Sequence, residues 1–129
     1  MLALTRKRKS SRIAFTLVEM LVVVAIILAL AAMAVPIAIS VYDGARRDIA
    51  QSQIKGTLVP AVERYRMDAG DLPSSLQDLV SSPKAGLKAD QLSDPWGAPY
   101  QFSPQSSHGN EYDIWSQGSG GKPVGNWKD

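Results

Sequence analysis

The most prominent pattern in the chain is one uninterrupted apolar block near its N-terminus. No charged side chain lies between residues 20 and 42, and residues 20–39 are all apolar, Pro36 included. A run of about 20 apolar residues crosses the roughly 30 Å hydrocarbon core of a bilayer as a helix, which satisfies its own backbone hydrogen bonds in lipid. The block therefore predicts a membrane-spanning helix, and Pro36 is expected to kink it or melt it locally.

Beyond the block, apolar residues recur at helical spacing along a more polar stretch. The repeating positions are Ile49, Ile54, Leu58, Ala61 or Val62, and Tyr65. This spacing predicts an amphipathic helix, with a bend or break near Pro60 and a stop at residues 68–71. Residues 72–80 predict a second, short helix, in which Ser74 and Gln77 have the spacing of a capping box.

The last third of the chain changes to strand-like alternation. Residues 84–95 predict a surface loop, and residues 100–102 and 112–114 each place a polar residue between two apolar ones, as a half-buried strand does. Residues 103–111 would close these strands into an antiparallel hairpin, and residues 118–126 are expected to form a further loop. The pattern predicts an α+β fold: a long N-terminal transmembrane helix that continues into a small domain with a short helix and a C-terminal antiparallel sheet.

Charge is distributed unevenly along the chain. Five of the 14 Lys and Arg residues precede residue 14, and no acidic residue precedes Glu19. They are Arg6, Lys7, Arg8, Lys9 and Arg12. This cluster outweighs Arg46 and Arg47 on the other side of the block, so the positive-inside rule places the N-terminus in the cytoplasm and the body across the membrane. The body itself is slightly acidic, so nucleic acid is not an expected partner.

The inventory of reactive side chains argues against catalysis and metal chemistry. The chain has no cysteine and one histidine, which excludes a disulfide framework, thiolate zinc sites and thiol catalysis. His108 lies in a Gly/Ser/Asn-rich stretch and is expected in solvent. Glu111 and Asp113 are expected to be solubilising carboxylates on a solvated strand. No nucleophile has an evident base beside it, so we expect no catalytic residues and a protein that is not an enzyme.

An ordinary secretory signal peptide is the alternative interpretation of the N-terminal segment. The basic head, the apolar run and the sequence Ala32-Met33-Ala34 fit that pattern. Glu19 at the start of the run and apolar residues as far as Val41 argue against it. Residues 15–41 would form a helix of about 40 Å, longer than a signal peptide needs.

The order of residues 14–27, AFTLVEMLVVVAII, resembles the prepilin motif of type IV pilins and type II secretion pseudopilins. The resemblance implies that a membrane prepilin peptidase cuts between Ala14 and Phe15 and that the new amino group of Phe15 is methylated. Ala14 departs from the family's usual glycine but keeps a small residue before the cut. Glu19 matches the family's fifth mature residue, and Pro36 matches a proline of the family's assembly helix.

This resemblance implies a three-part organisation. Residues 1–14 would be a basic leader, residues 15–41 the transmembrane and assembly helix, and residues 42–129 a pilin-like periplasmic domain. The protein would cross the bacterial inner membrane once, with its N-terminus in the cytoplasm.

Glu19 has a physical reason to take part in assembly. A carboxylate in the apolar part of a membrane costs about 2.5–3.5 kcal/mol on insertion scales, so it needs a partner. The α-amino group of a neighbouring subunit's Phe15, with a reference pKa of about 7.7–8.0, is mostly charged at neutral pH and remains so when methylated. The alternative is that Glu19 merely reaches the lipid headgroups.

Three further segments narrow the resemblance to the major pseudopilins of type II secretion. Residues 65–73 (YRMDAGDLP), 94–102 (DPWGAPYQF) and 112–118 (YDIWSQG) are similar to blocks of that family. The resemblance implies a homopolymer, the pseudopilus, that drives folded proteins across the outer membrane. Its partners would be minor pseudopilins, the prepilin peptidase and methyltransferase, and the inner-membrane secretion platform.

Calcium is the cofactor that the resemblance raises. The family's loop after the third of these blocks carries acidic residues that help to bind calcium, whereas residues 118–126 contain no carboxylate. The candidate calcium ligands that remain are Asp113, Ser116 and backbone carbonyls. Calcium prefers six to eight oxygen ligands, several of them carboxylates. We therefore expect weak calcium binding or none, and no other cofactor.

Two other functions remain open at this point. A type IV pilus or competence pilin that binds DNA or surfaces would share the N-terminal motif. A signal-anchored periplasmic enzyme or binding domain would share the membrane segment but remain monomeric.

Overall fold

A computed structural model of the chain describes residues 14–128. Almost all of the predicted leader, including its basic cluster, lies outside the described residues. The chain divides into two compact units, Met1–Ala38 and Ile39–Asp129. The elements confirm the predicted α+β class: helices α1 (Leu17–Gln53), α2 (Val59–Ala69) and α3 (Leu76–Ser81), then strands β1 (Gln101–Ser103), β2 (Asp113–Ser116) and β3 (Val124–Gly125).

The part of α1 in the first unit exposes its apolar side chains. Leu17 is 85% exposed and Leu30 is 62% exposed. Within residues 14–128, one helix, from Leu17 to Ala69, is long and apolar enough to cross a membrane. The helix is unbroken across Pro36, so local melting there, one of the two predicted effects, is wrong. The kink stays a prediction. An apolar surface of this length has to be covered by lipid or by other helices.

The irregular part of the long helix lies just before Pro60. Ile54–Leu58 forms a π-helical turn, in which the N–H of Val59 donates to the carbonyl of Ile54, five residues back. Pro60 is the second residue of α2, and because it has no N–H it cannot donate to a carbonyl of the preceding turn. The predicted break near Pro60 is wrong, because the helix continues through a widened turn to Ala69, and the alternative, a bend, stays a prediction.

The predicted end of this helix is confirmed. Gly70 adopts a left-handed conformation with φ of 79°, and its N–H donates to the carbonyl of Arg66 at 2.8 Å. Glycine suits this position because it has no Cβ to clash in the left-handed region.

The N-cap of the short helix α3 lies one residue later than predicted. Ser75, not Ser74, is the N-cap, and Asp78, not Gln77, is the third helical residue. The Asp78 carboxylate accepts the N–H groups of Ser74 and Ser75 at 2.9 and 3.1 Å. The prediction missed this arrangement because aspartate takes the place of the glutamate or glutamine that the capping-box pattern specifies.

The segment after α3 is more ordered than the predicted surface loop. It contains a 3₁₀ helix at Ala89–Leu92 and buries Ala85, Leu87 and Asp94. The prediction of a surface loop is therefore wrong for these three residues. Ala85 and Leu87 are buried because they belong to the hydrophobic core of the second unit, and Asp94 is buried together with its hydrogen-bond partner Ser116.

The C-terminal sheet has three antiparallel strands in the order β1-β2-β3. Phe102 pairs with Ile114 and Trp115 pairs with Gly125. The sequence predicted the first pair of strands but treated β3 as loop, because a strand of two residues in a glycine-rich stretch has no alternation to detect. As the central strand, β2 buries Asp113 as well as Ile114, and so is not half-buried.

The core of the second unit lies between the helices and this sheet. Its largest fully buried apolar side chains are Ile54, Leu58, Val62, Leu79 and Ile114. Two tyrosines at the edge of this core form hydrogen bonds between the sheet region and the helices. The Tyr100 hydroxyl donates to Gln53, and the Tyr112 hydroxyl donates to Glu63 at 2.9 Å. Burial raises the pKa of Tyr100 to about 12, so its hydroxyl remains a donor at any physiological pH.

Candidate functional site

The start of α1 carries the first candidate site. The Glu19 carboxylate accepts the N–H of Thr16 at 3.2 Å, and the Glu19 N–H donates to the Thr16 hydroxyl at 3.2 Å. These reciprocal bonds are a capping box, and they satisfy two N–H groups that a helix start leaves without partners. Glu19 was predicted only as an assembly residue, although the spacing T-x-x-E at residues 16–19 is that of a capping box.

The capping box leaves Glu19 capable of a second interaction. A carboxylate has two oxygens and about four lone-pair positions, so one accepted hydrogen bond leaves most of its acceptor capacity unused. Phe15, just before the capping box, is 75% exposed. The hydrogen bond from Thr16 therefore orients the Glu19 carboxylate, which still has acceptor positions for a cation.

The other predicted residues of this unit are spread along it. Ala14 and Phe15 precede α1 in irregular, exposed chain, where a peptide bond is open to a peptidase. Pro36 lies 17 residues after Glu19 on the same helix, a rise of about 25 Å. Ala14, Phe15 and Glu19 thus lie close along the chain at the start of α1, and Pro36 lies apart from them.

In the second unit, Asp94 organises the segment that resembles the pseudopilin block DPWGxPY. One of its carboxylate oxygens accepts the N–H groups of Trp96 and Ala98 at 3.0 and 2.8 Å. The other accepts the hydroxyl of Ser116, which in turn accepts the N–H of Gly118 at 3.0 Å. Asp94 is only 6% exposed, so this carboxylate is a buried link between the turn and β2.

Asp113 is the second buried carboxylate, and its predicted placement on a solvated strand is wrong. It is 3% exposed, whereas Glu111 is exposed and pairs with Arg66. Asp113 accepts the Ser106 hydroxyl at 2.6 Å and the Ser107 N–H at 3.0 Å, and it contacts His108 Nδ1 at 2.9 Å. Burial alone would raise the pKa of the Asp113 carboxyl, but these hydrogen bonds outweigh it and hold the pKa below 3.8.

His108 is exposed, as expected, but it is not a free loop side chain. Its ring stacks on Trp127 with centroids 3.8 Å apart and planes at 9°. Together with the contact to Asp113, this stacking fastens the hairpin loop to the C-terminal segment. Within residues 14–128, the hydroxyl of Ser107 and the carboxylate of Asp113 both contact Nδ1 of His108, and no hydroxyl bonds its other ring nitrogen.

Asp113 and Ser116, the two side chains considered as calcium ligands, do not converge on one site. Asp113 and Ser116 bind different partners, namely the 106–108 loop and Asp94. Within residues 14–128 there is no cluster of three or more His, Asp or Glu side chains that could hold a metal. The donors present therefore do not match the carboxylate-rich shell that calcium prefers.

An exposed apolar helix whose first turn is capped by Thr16 and Glu19, followed by a small α+β domain, places the chain in the class of pilin-like subunits. Two family models match the chain. Residues 38–129 match the type II secretion system protein G family, and residues 9–35 match the prokaryotic N-terminal methylation motif. The chain therefore belongs to the type II secretion system protein G family.

Curated relatives agree with this assignment over most of their length. The type II secretion system core protein G of Pseudomonas aeruginosa is 34% identical, over 88% of this chain and 93% of the relative. The protein of the same name from Klebsiella michiganensis is 33% identical, over 93% of this chain and 96% of the relative. That from Escherichia coli K12 is 32% identical, over 84% and 82%. No solved structure matches the chain significantly.

Proposed function

We propose that this chain is the major pseudopilin subunit of a type II secretion system and polymerises into a short periplasmic pseudopilus. The observation that carries the proposal is the exposed apolar helix, whose first turn is capped by Glu19. Membership of the protein G family favours this function over a type IV or competence pilin and over a monomeric anchored domain.

Processing comes first in the proposed sequence of events. The leader directs the chain into the inner membrane, the prepilin peptidase cuts between Ala14 and Phe15, and the amino group of Phe15 is methylated. The methylation-motif match at residues 9–35 supports both steps. The irregular chain before α1 supports the position of the cut.

Assembly then uses the same end of the helix. The charged amine of one subunit's Phe15 pairs with the Glu19 carboxylate of its neighbour, while the apolar faces of residues 15–41 pack together. The Thr16 cap supports this pairing because it fixes the direction of the carboxylate before the neighbour arrives. Pro36 contributes a position without a backbone N–H within the packed helix.

The remaining parts of the proposal concern location, partners and the kind of work done. The helix crosses the inner membrane once, and the domain at residues 42–129 lies in the periplasm. Minor pseudopilins and the inner-membrane platform bind the growing fibre, which pushes folded proteins outward. The protein acts mechanically and is not an enzyme, which is supported by the structural use of its buried carboxylates Asp94 and Asp113.

Cysteine crosslinking tests the assembly directly, because the chain has no cysteine of its own. Leu30→Cys places one thiol on the exposed face of α1, and Met67→Cys places one on the second unit, where Met67 is 84% exposed. In bacteria with an active type II secretion system, we expect oxidation to give abundant Leu30→Cys dimers and few Met67→Cys dimers. Two variants that both remain monomeric, after normal processing, would contradict polymerisation through this helix.

A further inference from the structure

The glycine-rich loop at residues 118–123 lacks carboxylates but is held by a cation of the protein itself. Arg47 of α1 donates from Nη1 to the carbonyl of Lys122 at 2.7 Å and from Nη2 to the carbonyl of Pro123 at 3.5 Å. Two successive carbonyl oxygens therefore face one guanidinium. Carbonyl oxygens are also the ligands that loops offer to hard cations.

The loop is built around this guanidinium. Gly118 has φ of 64°, and a Cβ added to it would lie 2.3 Å from the Lys122 carbonyl oxygen and 3.4 Å from Arg47 Nη1. Any side chain at residue 118 would therefore push the Lys122 carbonyl away from Arg47. Because Gly118 has no side chain, the turn can bring the Lys122 carbonyl close to Arg47.

A second side chain of α1 binds the other side of the same loop. Asp43, one helical turn before Arg47, accepts the hydroxyl of Ser119 and the indole N–H of Trp96, the latter at 3.2 Å. The hydrogen bond from Ser119 is the main cause that lowers the pKa of the Asp43 carboxyl, and Arg47 and Trp96 act in the same direction. Asp43 is thus an anion at neutral pH and a matched acceptor for the loop's hydroxyl.

We propose that Arg47, assisted by Asp43, takes the place of a bound divalent cation in ordering residues 118–123. The guanidinium supplies a permanent positive charge and several donors in a fixed plane, and it cannot dissociate from the protein. The loop is consequently ordered without regard to the calcium concentration. The inference concerns the folded subunit alone and does not rest on the proposed function.

Hydrogen exchange of the full-length chain in detergent micelles tests the proposal. The readout is the exchange rate of peptides covering residues 117–127, measured in millimolar calcium and in chelator. Wild type is expected to exchange at the same rate in both. Arg47→Ala should speed exchange in this segment at least about tenfold, because a charge-assisted hydrogen bond is lost, and calcium should not restore the protection.

Arg46→Ala is the matched control. It removes the same charge from the neighbouring position of α1, where the exposed Arg46 makes none of the side-chain hydrogen bonds found within residues 14–128. It should exchange like wild type. If Arg47→Ala does not fold, Arg47→Gln, which keeps a donor and removes the charge, is read in the same way against Arg46→Gln.

Three results would overturn the proposal. One is slower exchange of the wild-type loop when calcium is added. Another is an Arg47 variant whose loop exchanges like that of its Arg46 control. The third is an Arg47 variant whose protection returns with calcium, since the loop would then hold an ion without help from Arg47.

Discussion

Thr16 and Glu19 exchange two hydrogen bonds of 3.2 Å at the start of the long N-terminal helix. The pair shows that the carboxylate at the edge of the apolar segment has a local partner before any second subunit is present. Capping is therefore separable from the assembly function that we propose for the same side chain. The first needs an acceptor oxygen, and the second needs a negative charge.

The first prediction concerns processing at the Ala14–Phe15 bond. Mass spectrometry of the chain extracted from membranes should show a mature N-terminus at Phe15 with a methylated amine. Ala14→Gly should be cut as fast as wild type or faster, because glycine is the residue that the related prepilins carry there. An N-terminus at Val35, after the sequence Ala32-Met33-Ala34, would instead identify a signal peptide.

The second prediction concerns Asp94. Asp94→Ala removes a buried carboxylate and leaves the Ser116 hydroxyl and two backbone N–H groups without their acceptor. Since each unsatisfied buried group costs about 1–3 kcal/mol, we expect a loss of about 3 kcal/mol in the free energy of unfolding. Denaturant unfolding of the full chain in detergent, followed by tryptophan fluorescence, measures it.

Asp90→Ala is the control for this experiment. Asp90 lies exposed in the 3₁₀ helix a few residues away. A surface substitution of this kind usually changes stability by less than about 0.5 kcal/mol. Equal losses from Asp90→Ala and Asp94→Ala would refute the linking function assigned to Asp94.

The third prediction is acid sensitivity through Asp113. Its folded pKa is held below the ordinary value of 3.8, so its stabilising contribution is complete above that pH and is lost as the pH falls through the folded value. Asp113→Asn should therefore have a lower melting temperature than wild type at pH 7. On acidification, the melting temperature of Asp113→Asn should fall by less than that of wild type. Melting curves at pH 7 and near pH 3 check the sign; a steeper acid loss in Asp113→Asn would contradict it.

The sequence predicted the features that depend on local pattern. The apolar block, the stop at Gly70 and the hairpin of residues 100–114 all follow from periodicity and turn chemistry within a few residues. It did not predict the burial of Asp113, because alternation alone cannot tell a central strand from a half-exposed one.

Local sequence patterns could not predict the contact of Arg47 with the C-terminal loop, for a different reason. The two residues joined by the shorter hydrogen bond are 75 positions apart. The acceptor is a backbone carbonyl, which every residue possesses, so no residue type marks the position. Only the folded chain identifies it.

The central claim, that the charge of Glu19 joins neighbouring subunits, is tested most directly by the filament yield of Glu19→Gln. Glutamine can replace glutamate in a capping box, so this variant keeps the helix cap and loses only the charge. Thr16→Ala does the reverse: it weakens the cap by about 1 kcal/mol and keeps the charge.

Both variants should insert into the membrane and be processed like wild type. The measurement is the amount of sheared or crosslinked filament per processed subunit. We expect Thr16→Ala to retain filaments and Glu19→Gln to lose them. Wild-type filament yield from fully processed Glu19→Gln would contradict the pairing of Glu19 with the neighbouring amine.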